Sequence, residues 1–115
     1  MAIGCASLLS LPPARIVRTG VVRKGLAGWC GAELHGRLTT SGERFDMYYS
    51  HTAAHADLPL GTWLLVAHAG RELMVRVNDR RPLGERFLEL TWAGAAALGV
   101  EDAAEVEAEV CVTGL

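Results

Sequence analysis

Along the chain, apolar positions fall into short runs of strand length, separated by turn residues. Gly25 to Gly31 frames the apolar segment LAGWC, which predicts a first strand. Ala32 to Asp46 follows, polar and punctuated by glycine (HGRLTTSGERFD), with residues that suit turns and not a core. A connection of that length inside a compact domain is usually functional or disordered. His51 to Gly61, HTAAHADLPLG, reads as a short strand or turn running into a Pro-Leu-Gly bend. Thr62 to Ala67 is a continuous apolar run, TWLLVA, and Glu72 to Asn78 returns after the tight connection at His68 to Arg71, so the two form a hairpin. Phe87 to Leu90 is another short strand. Thr91 can cap a helix over Trp92 to Leu98, which Gly99 ends. VEAEVCV, Val106 to Val112, alternates apolar and acidic residues as a half-buried strand does. Six short strands and one short helix predict a mainly β domain closed into a small barrel, since closure removes exposed edges.

Composition narrows this picture. A chain of 115 residues suits one domain with one core, and 50% apolar with 21% charged residues is a globular balance. The formal net charge of -2 supplies no basic field, so nucleic acid is not an expected partner. No apolar run is long enough to span a bilayer. Ser7 to Lys24 contains Pro12, Pro13 and several basic residues without sustained periodicity, and reads as a tether or loose arm. The expected organisation is an N-terminal arm over residues 1–24 and a barrel domain over 25–115, acting as a monomer.

The cysteines are Cys5, Cys30 and Cys111, and none forms the C-x-x-C pair of a zinc site, so neither metal nor cofactor is expected. AIGCAS, Ala2 to Ser7, is similar to the lipobox of bacterial lipoproteins, with Cys5 as the candidate lipid-bearing residue. A secretory signal needs a basic region and an apolar region ahead of that cysteine, and neither precedes Cys5. Residues 1–24 are therefore read either as the remnant of a lipoprotein export signal or as an arm carrying an incidental thiol. A lipid at Cys5 would be the chain's one link to a membrane.

The strand in VRVNDRRP ends on a charged turn: Val75 and Val77 alternate with Arg76, and Asn78, Asp79, Arg80, Arg81 and Pro82 follow. With AGWCG, HGRLTTSGERFDM, TAAHADLPLGT and ELTWAGAAALG, in this order, the chain resembles the rare lipoprotein A (RlpA) family from about Gly25 to Val112. The resemblance implies a six-stranded double-psi β-barrel with one short helix, a fold shared with the catalytic-type domain of expansins. It also implies peptidoglycan as partner and an endolytic lytic transglycosylase that cuts MurNAc-GlcNAc strands, preferring those without stem peptides and leaving 1,6-anhydro-MurNAc ends. The expected place is the bacterial cell envelope, periplasmic or anchored at the outer membrane. By position, the family's acid in S-G-E is Glu43, its histidine in T-A-A-H is His55 and its aspartate in V-N-D is Asp79.

Such cleavage protonates the leaving oxygen while positive charge grows on the sugar ring, and the muramic 6-hydroxyl attacks from within. Asp79 is the candidate proton donor. Glu43 is the second carboxylate, and His55 tunes protonation or touches substrate. Trp29, Arg37, Thr39, Ser41, Tyr48, Asn78 and Arg80 are candidates to line the groove, Trp29 by stacking on a sugar; Tyr49 beside them is either a glycan contact or an exposed loop residue. Trp63 and Trp92 read as core.

Three positions depart from the family pattern: Arg81 in place of glycine, Cys30 in place of an aromatic residue, and Glu89 in place of aspartate. Cys30 closes the first strand and Cys111 lies in the last, so a barrel can bring them together as a disulfide, or keep them as two buried thiols. A plain capping role for Asp79, a solvated Glu43 and a merely structural His55 are the bland alternatives. They correspond to a second function, a non-catalytic glycan-binding module of expansin type.

Overall fold

The computed structural model describes residues 15–113. Cys5, the lipobox-like stretch and most of the proposed arm lie outside the described residues. The elements are β1 (Ile16–Cys30), β2 (Thr52–His55), β3 (Trp63–His68), β4 (Arg71–Arg80), β5 (Arg86–Thr91), the helix α1 (Trp92–Leu98) and β6 (Ala104–Thr113).

The strands close into a barrel in the order β1-β5-β2-β4-β3-β6. Two neighbouring pairs, β1 with β5 and β2 with β4, run parallel, and the remaining pairs are antiparallel. Parallel neighbours need long crossover connections. The polar stretch after β1 and the segment carrying β3 are part of those crossovers. The polar stretch reaches the end of β4, where Asp79 sits, while Glu89 lies within β5.

Local sequence explains each element. The β3–β4 turn places Ala69 at φ 51° and Gly70 at φ 77°, the paired left-handed conformation whose twist suits a two-residue hairpin. Thr91 caps α1 by accepting the Gly94 amide on its side-chain oxygen. Gly99, at φ 72°, closes the other end by donating its N–H back into the helix. Val75, Val77, Leu64, Val66, Leu88, Leu90, Leu98 and Val106 fill the interior. Fully burying each such side chain is worth roughly 1.5–3 kcal/mol relative to exposure.

Two expectations are corrected. The first strand begins at Ile16, not Gly25, so Ile16 to Lys24 is paired strand and not loose arm. This half of β1 is bound by backbone pairing to β6, and the Glu109 carboxylate accepts from Arg18 Nε and the Gly20 amide. Both faces of the ribbon are exposed, which is why no hydrophobic period marks it. Trp92 is not core: it is 44% exposed, whereas Trp63 is buried. Of the two readings of the cysteines, the structure takes the second: Cys30 and Cys111 are free, buried thiols. Cys111 pairs across from Arg18 near the start of β1, while Cys30 stands at the far end opposite Thr91 of β5.

Candidate active site

The long connection after β1 is an ordered tongue. Leu38 and Arg44 bridge its two arms, and Gly36 N–H donates to the Phe45 carbonyl. Its tip is pinned to the end of β4, where the Ser41 amide donates to the Asn78 carbonyl. This places Thr40 against Asp79. The Thr40 amide and hydroxyl both donate to Asp79 Oδ1, at 3.0 and 2.7 Å.

The other oxygen, Oδ2, accepts from Arg81 Nε at 3.2 Å. Partial burial pushes the Asp79 carboxyl up, but the two Thr40 bonds and the Arg81 guanidinium outweigh it and hold it below the usual carboxylate range. Asp79 is thus a carboxylate at rest. It lines an open cleft of about 480 Å³. Arg37, Thr39 and Thr40 of the tongue and Arg80 and Arg81 of the β4 turn share that wall, and Leu34, Leu38 and Phe45 give it an apolar side.

Glu43 occupies a second, neighbouring pocket of about 260 Å³, with Arg76, Asn78 and Tyr49. Arg76 leaves the barrel on the face opposite the buried Val75 and Val77, as strand alternation requires. Its two terminal nitrogens donate to the two Glu43 oxygens at 2.9 and 2.8 Å. These bonds hold the Glu43 carboxyl below its ordinary value. Ser41 joins the pocket, its hydroxyl donating to Glu43 Oε1 at 3.1 Å. The Tyr49 hydroxyl is buried here without a hydrogen-bond partner. The two carboxylates therefore stand on either side of one tongue tip, each beside its own arginine.

His55 lies outside both clefts. It is 2% exposed, and its ring packs edge-on against Phe87. Nδ1 accepts the amides of Asp57 and Leu58, each at 3.2 Å, which fixes an unprotonated Nδ1. The Asp57 carboxylate, also 3.2 Å from Nδ1, makes an ion pair only if that nitrogen gains a proton. Burial lowers the His55 pKa and works against this, with Asp57 opposing. Nε2 is buried without a partner. The histidine braces the end of β2, whose residues Ala54 and His55 pair with Asp79 and Arg80.

The other sequence candidates divide. Arg37, Thr39 and Arg80 line the Asp79 cleft, and Asn78 and Ser41 belong to the Glu43 side. Trp29 packs against the core and donates its indole N–H to the Glu101 carbonyl, away from both pockets. Tyr48 is exposed, edge-on to His35 and Trp92. Sequence reasoning passed over Thr40, the residue bonded most directly to Asp79; its place between Thr39 and Ser41 was the available signal.

The closed six-stranded barrel of mixed pairing with one short helix is a fold of the double-psi class. Among solved structures, the Streptomyces papain inhibitor is similar in fold, with a TM-score of 0.65 and 18% identity over 82% of this chain and 97% of that one. The family model described as lytic transglycolase matches residues 24–110, and the chain belongs to that family. The endolytic peptidoglycan transglycosylase RlpA of Vibrio cholerae is 42% identical over 103 residues, covering 84% of this chain and 39% of the relative. That of Neisseria meningitidis serogroup A is 41% identical over 95 residues, covering 78% and 39%. The chain thus spans about two fifths of the length of these relatives.

Proposed function

We propose that this domain is an endolytic peptidoglycan transglycosylase of the bacterial cell envelope, cutting glycan strands in the cleft beside Asp79. The observation that carries the reading is a carboxylate, braced on one oxygen by Thr40, in the wall of an open cleft with free cationic side chains. Arg37 and Arg80 line that cleft and make no ion pair among the described residues. A muramic sugar without a stem peptide keeps its lactyl carboxylate; attachment of the peptide turns it into an uncharged amide. Unpaired guanidiniums favour the anionic form, which supports a preference for stripped strands.

In the reaction, protonated Asp79 donates its proton to the glycosidic oxygen as the C1–O bond breaks. The 6-hydroxyl oxygen then bonds to C1, and its proton returns to Asp79, closing the 1,6-anhydro ring. With Oδ1 held by Thr40, Oδ2 is the oxygen available to carry the proton once its contact with Arg81 opens. Glu43, fastened to Arg76, stabilises positive charge from the adjoining pocket and keeps the tongue in place. His55 acts through β2, as a positioning residue.

The test is incubation with stem-peptide-free glycan and mass analysis for anhydro-ended fragments, repeated with Asp79→Asn. Products from the native protein and at least about 100-fold less from the variant are expected. Absence of products from both removes the enzymatic reading. One observation favours a second reading: both acids rest as arginine-paired carboxylates, which suits an expansin-like module that grips glycan without cutting it. Glycan binding without anhydro products would select it.

A further inference from the structure

Three side chains, Arg81, Cys30 and Glu89, meet behind Asp79. Arg81 sends its Nε to Asp79 and its NH2 group to Glu89 Oε1, and that same NH2 lies 3.4 Å from Cys30 Sγ. Cys30 Sγ is 2.7 Å from Glu89 Oε1. Arg86 reaches the other Glu89 oxygen at 3.2 Å, passing over Gly28, where a Cβ would collide with its guanidinium.

Glu89 is 4% exposed, and a buried carboxylate is tolerated only when it is paired and hydrogen-bonded. Two guanidiniums and a thiol meet that need. The thiol stays protonated, since burial and then the Glu89 contact push Cys30 up to about 11. The donors therefore converge on Glu89, and Arg81 is held from behind while its Nε reaches Asp79.

We propose that Arg81 is the positioning residue of this cleft: anchored on buried Glu89 and backed by Cys30, its guanidinium is held against Asp79 and supplies the one ionic contact that carboxylate makes before a ligand arrives. The inference deepens the proposed function and rests on it for its catalytic meaning only. Asp79 is faced by Arg81 from its own turn, by Arg80 beside it, and by Arg37 and Thr40 from the tongue. Behind Arg81 stand Glu89 and Arg86 of β5 and Cys30 of β1, and the Glu33 carboxylate lies within its field. On β2, next to Asp79, His55 is turned to Asp57. Arg81 is thus the one of these groups in ionic contact with the Asp79 carboxylate.

The experiment is a carbon-detected NMR titration of the Asp79 carboxyl in the native protein, Arg81→Met and Arg81→Lys, with no glycan present. Arg81→Met is expected to raise the Asp79 midpoint by about one pH unit, the lower end of the effect of a neighbouring arginine. Arg81→Lys restores part of the shift, because an ammonium can reach Asp79 but cannot bridge to Glu89 with a planar fork. An unchanged midpoint in a folded Arg81→Met protein overturns the proposal. The anchor is read separately, from the Arg81 Nε–H resonance. Glu89→Gln is expected to broaden it, and a signal as sharp as the native one overturns the anchoring role. Since neither measurement requires turnover, a shifted midpoint in a protein that never cleaves glycan overturns the enzymatic reading alone.

Discussion

Asp79 and Glu43 are both acids held by arginine, yet they are held differently. Glu43 is gripped through both oxygens by both terminal nitrogens of Arg76, a parallel fork that leaves no oxygen free of that arginine. Asp79 divides its oxygens, one to Thr40 and one to a single Arg81 nitrogen. The better-shielded acid, Asp79 at 18% side-chain exposure against 44% for Glu43, has the looser ionic contact. The difference assigns labour. A bidentate pair between the tongue and β4 fixes geometry, and a one-point contact with an arginine anchored elsewhere can open without disturbing it.

Replacing the acids one at a time tests that assignment. Asp79→Asn keeps the Thr40 bonds and removes the proposed proton carrier, so anhydro product should fall by about 100-fold or more, on the scale of general acid catalysis. Glu43→Gln should cost less, about tenfold, as a loss of placement. Its specific mark is faster hydrogen exchange at the Thr39 and Ser41 amides, which the tongue tip holds. Equal losses from the two variants would erase the distinction. Arg81→Met is expected to increase cleavage at neutral pH by up to about tenfold, since each unit of upward shift raises the protonated fraction that much.

Stability effects are smaller. A double-mutant cycle on Glu43 and Arg76 should give a coupling of about 1 kcal/mol or less, because the pair is partly open to water. Asp79 and Glu43 both titrate below their ordinary values. Their stabilising contribution is therefore complete above the unfolded carboxylate range, about pH 4, and is lost as pH falls through the lower folded values. Thermal melts of Asp79→Asn and Glu43→Gln should each show a shallower loss in that acid window than the native protein. His55 acts at higher pH. Its folded pKa is lowered by burial, so the unfolded chain takes up the proton first and stability declines as pH drops below about 6.5. His55→Gln should flatten the melting temperature between about pH 6.5 and 5; an unaltered slope would show that this histidine titrates as it does in the open chain.

Much of the fold was legible because it is written in local periodicity. Alternation placed Val75 and Val77 inward and Arg76 outward, and turn and cap residues fixed the β3–β4 hairpin and both ends of α1. The first half of β1 escaped, since a ribbon exposed on both faces has no apolar rhythm and is held by main-chain bonds. Trp92 escaped for a related reason: its position in the first turn of a seven-residue helix faces water, and residue type alone does not report which face is covered.

The site was legible only as a set of residue types. The sequence by itself determined that Asp79 ends a strand, that Glu43 sits on a polar tongue and that Arg76 leaves the barrel's core face. Tertiary structure decided that Arg76 meets Glu43, that Arg81 meets Asp79 and Glu89, that His55 is buried away from both clefts, and that Cys30 and Cys111 stand apart. The reason is physical. Periodicity is a property of neighbours along the chain, whereas a charge finds its partner through space, and the parallel crossovers of this barrel join positions that no local pattern connects.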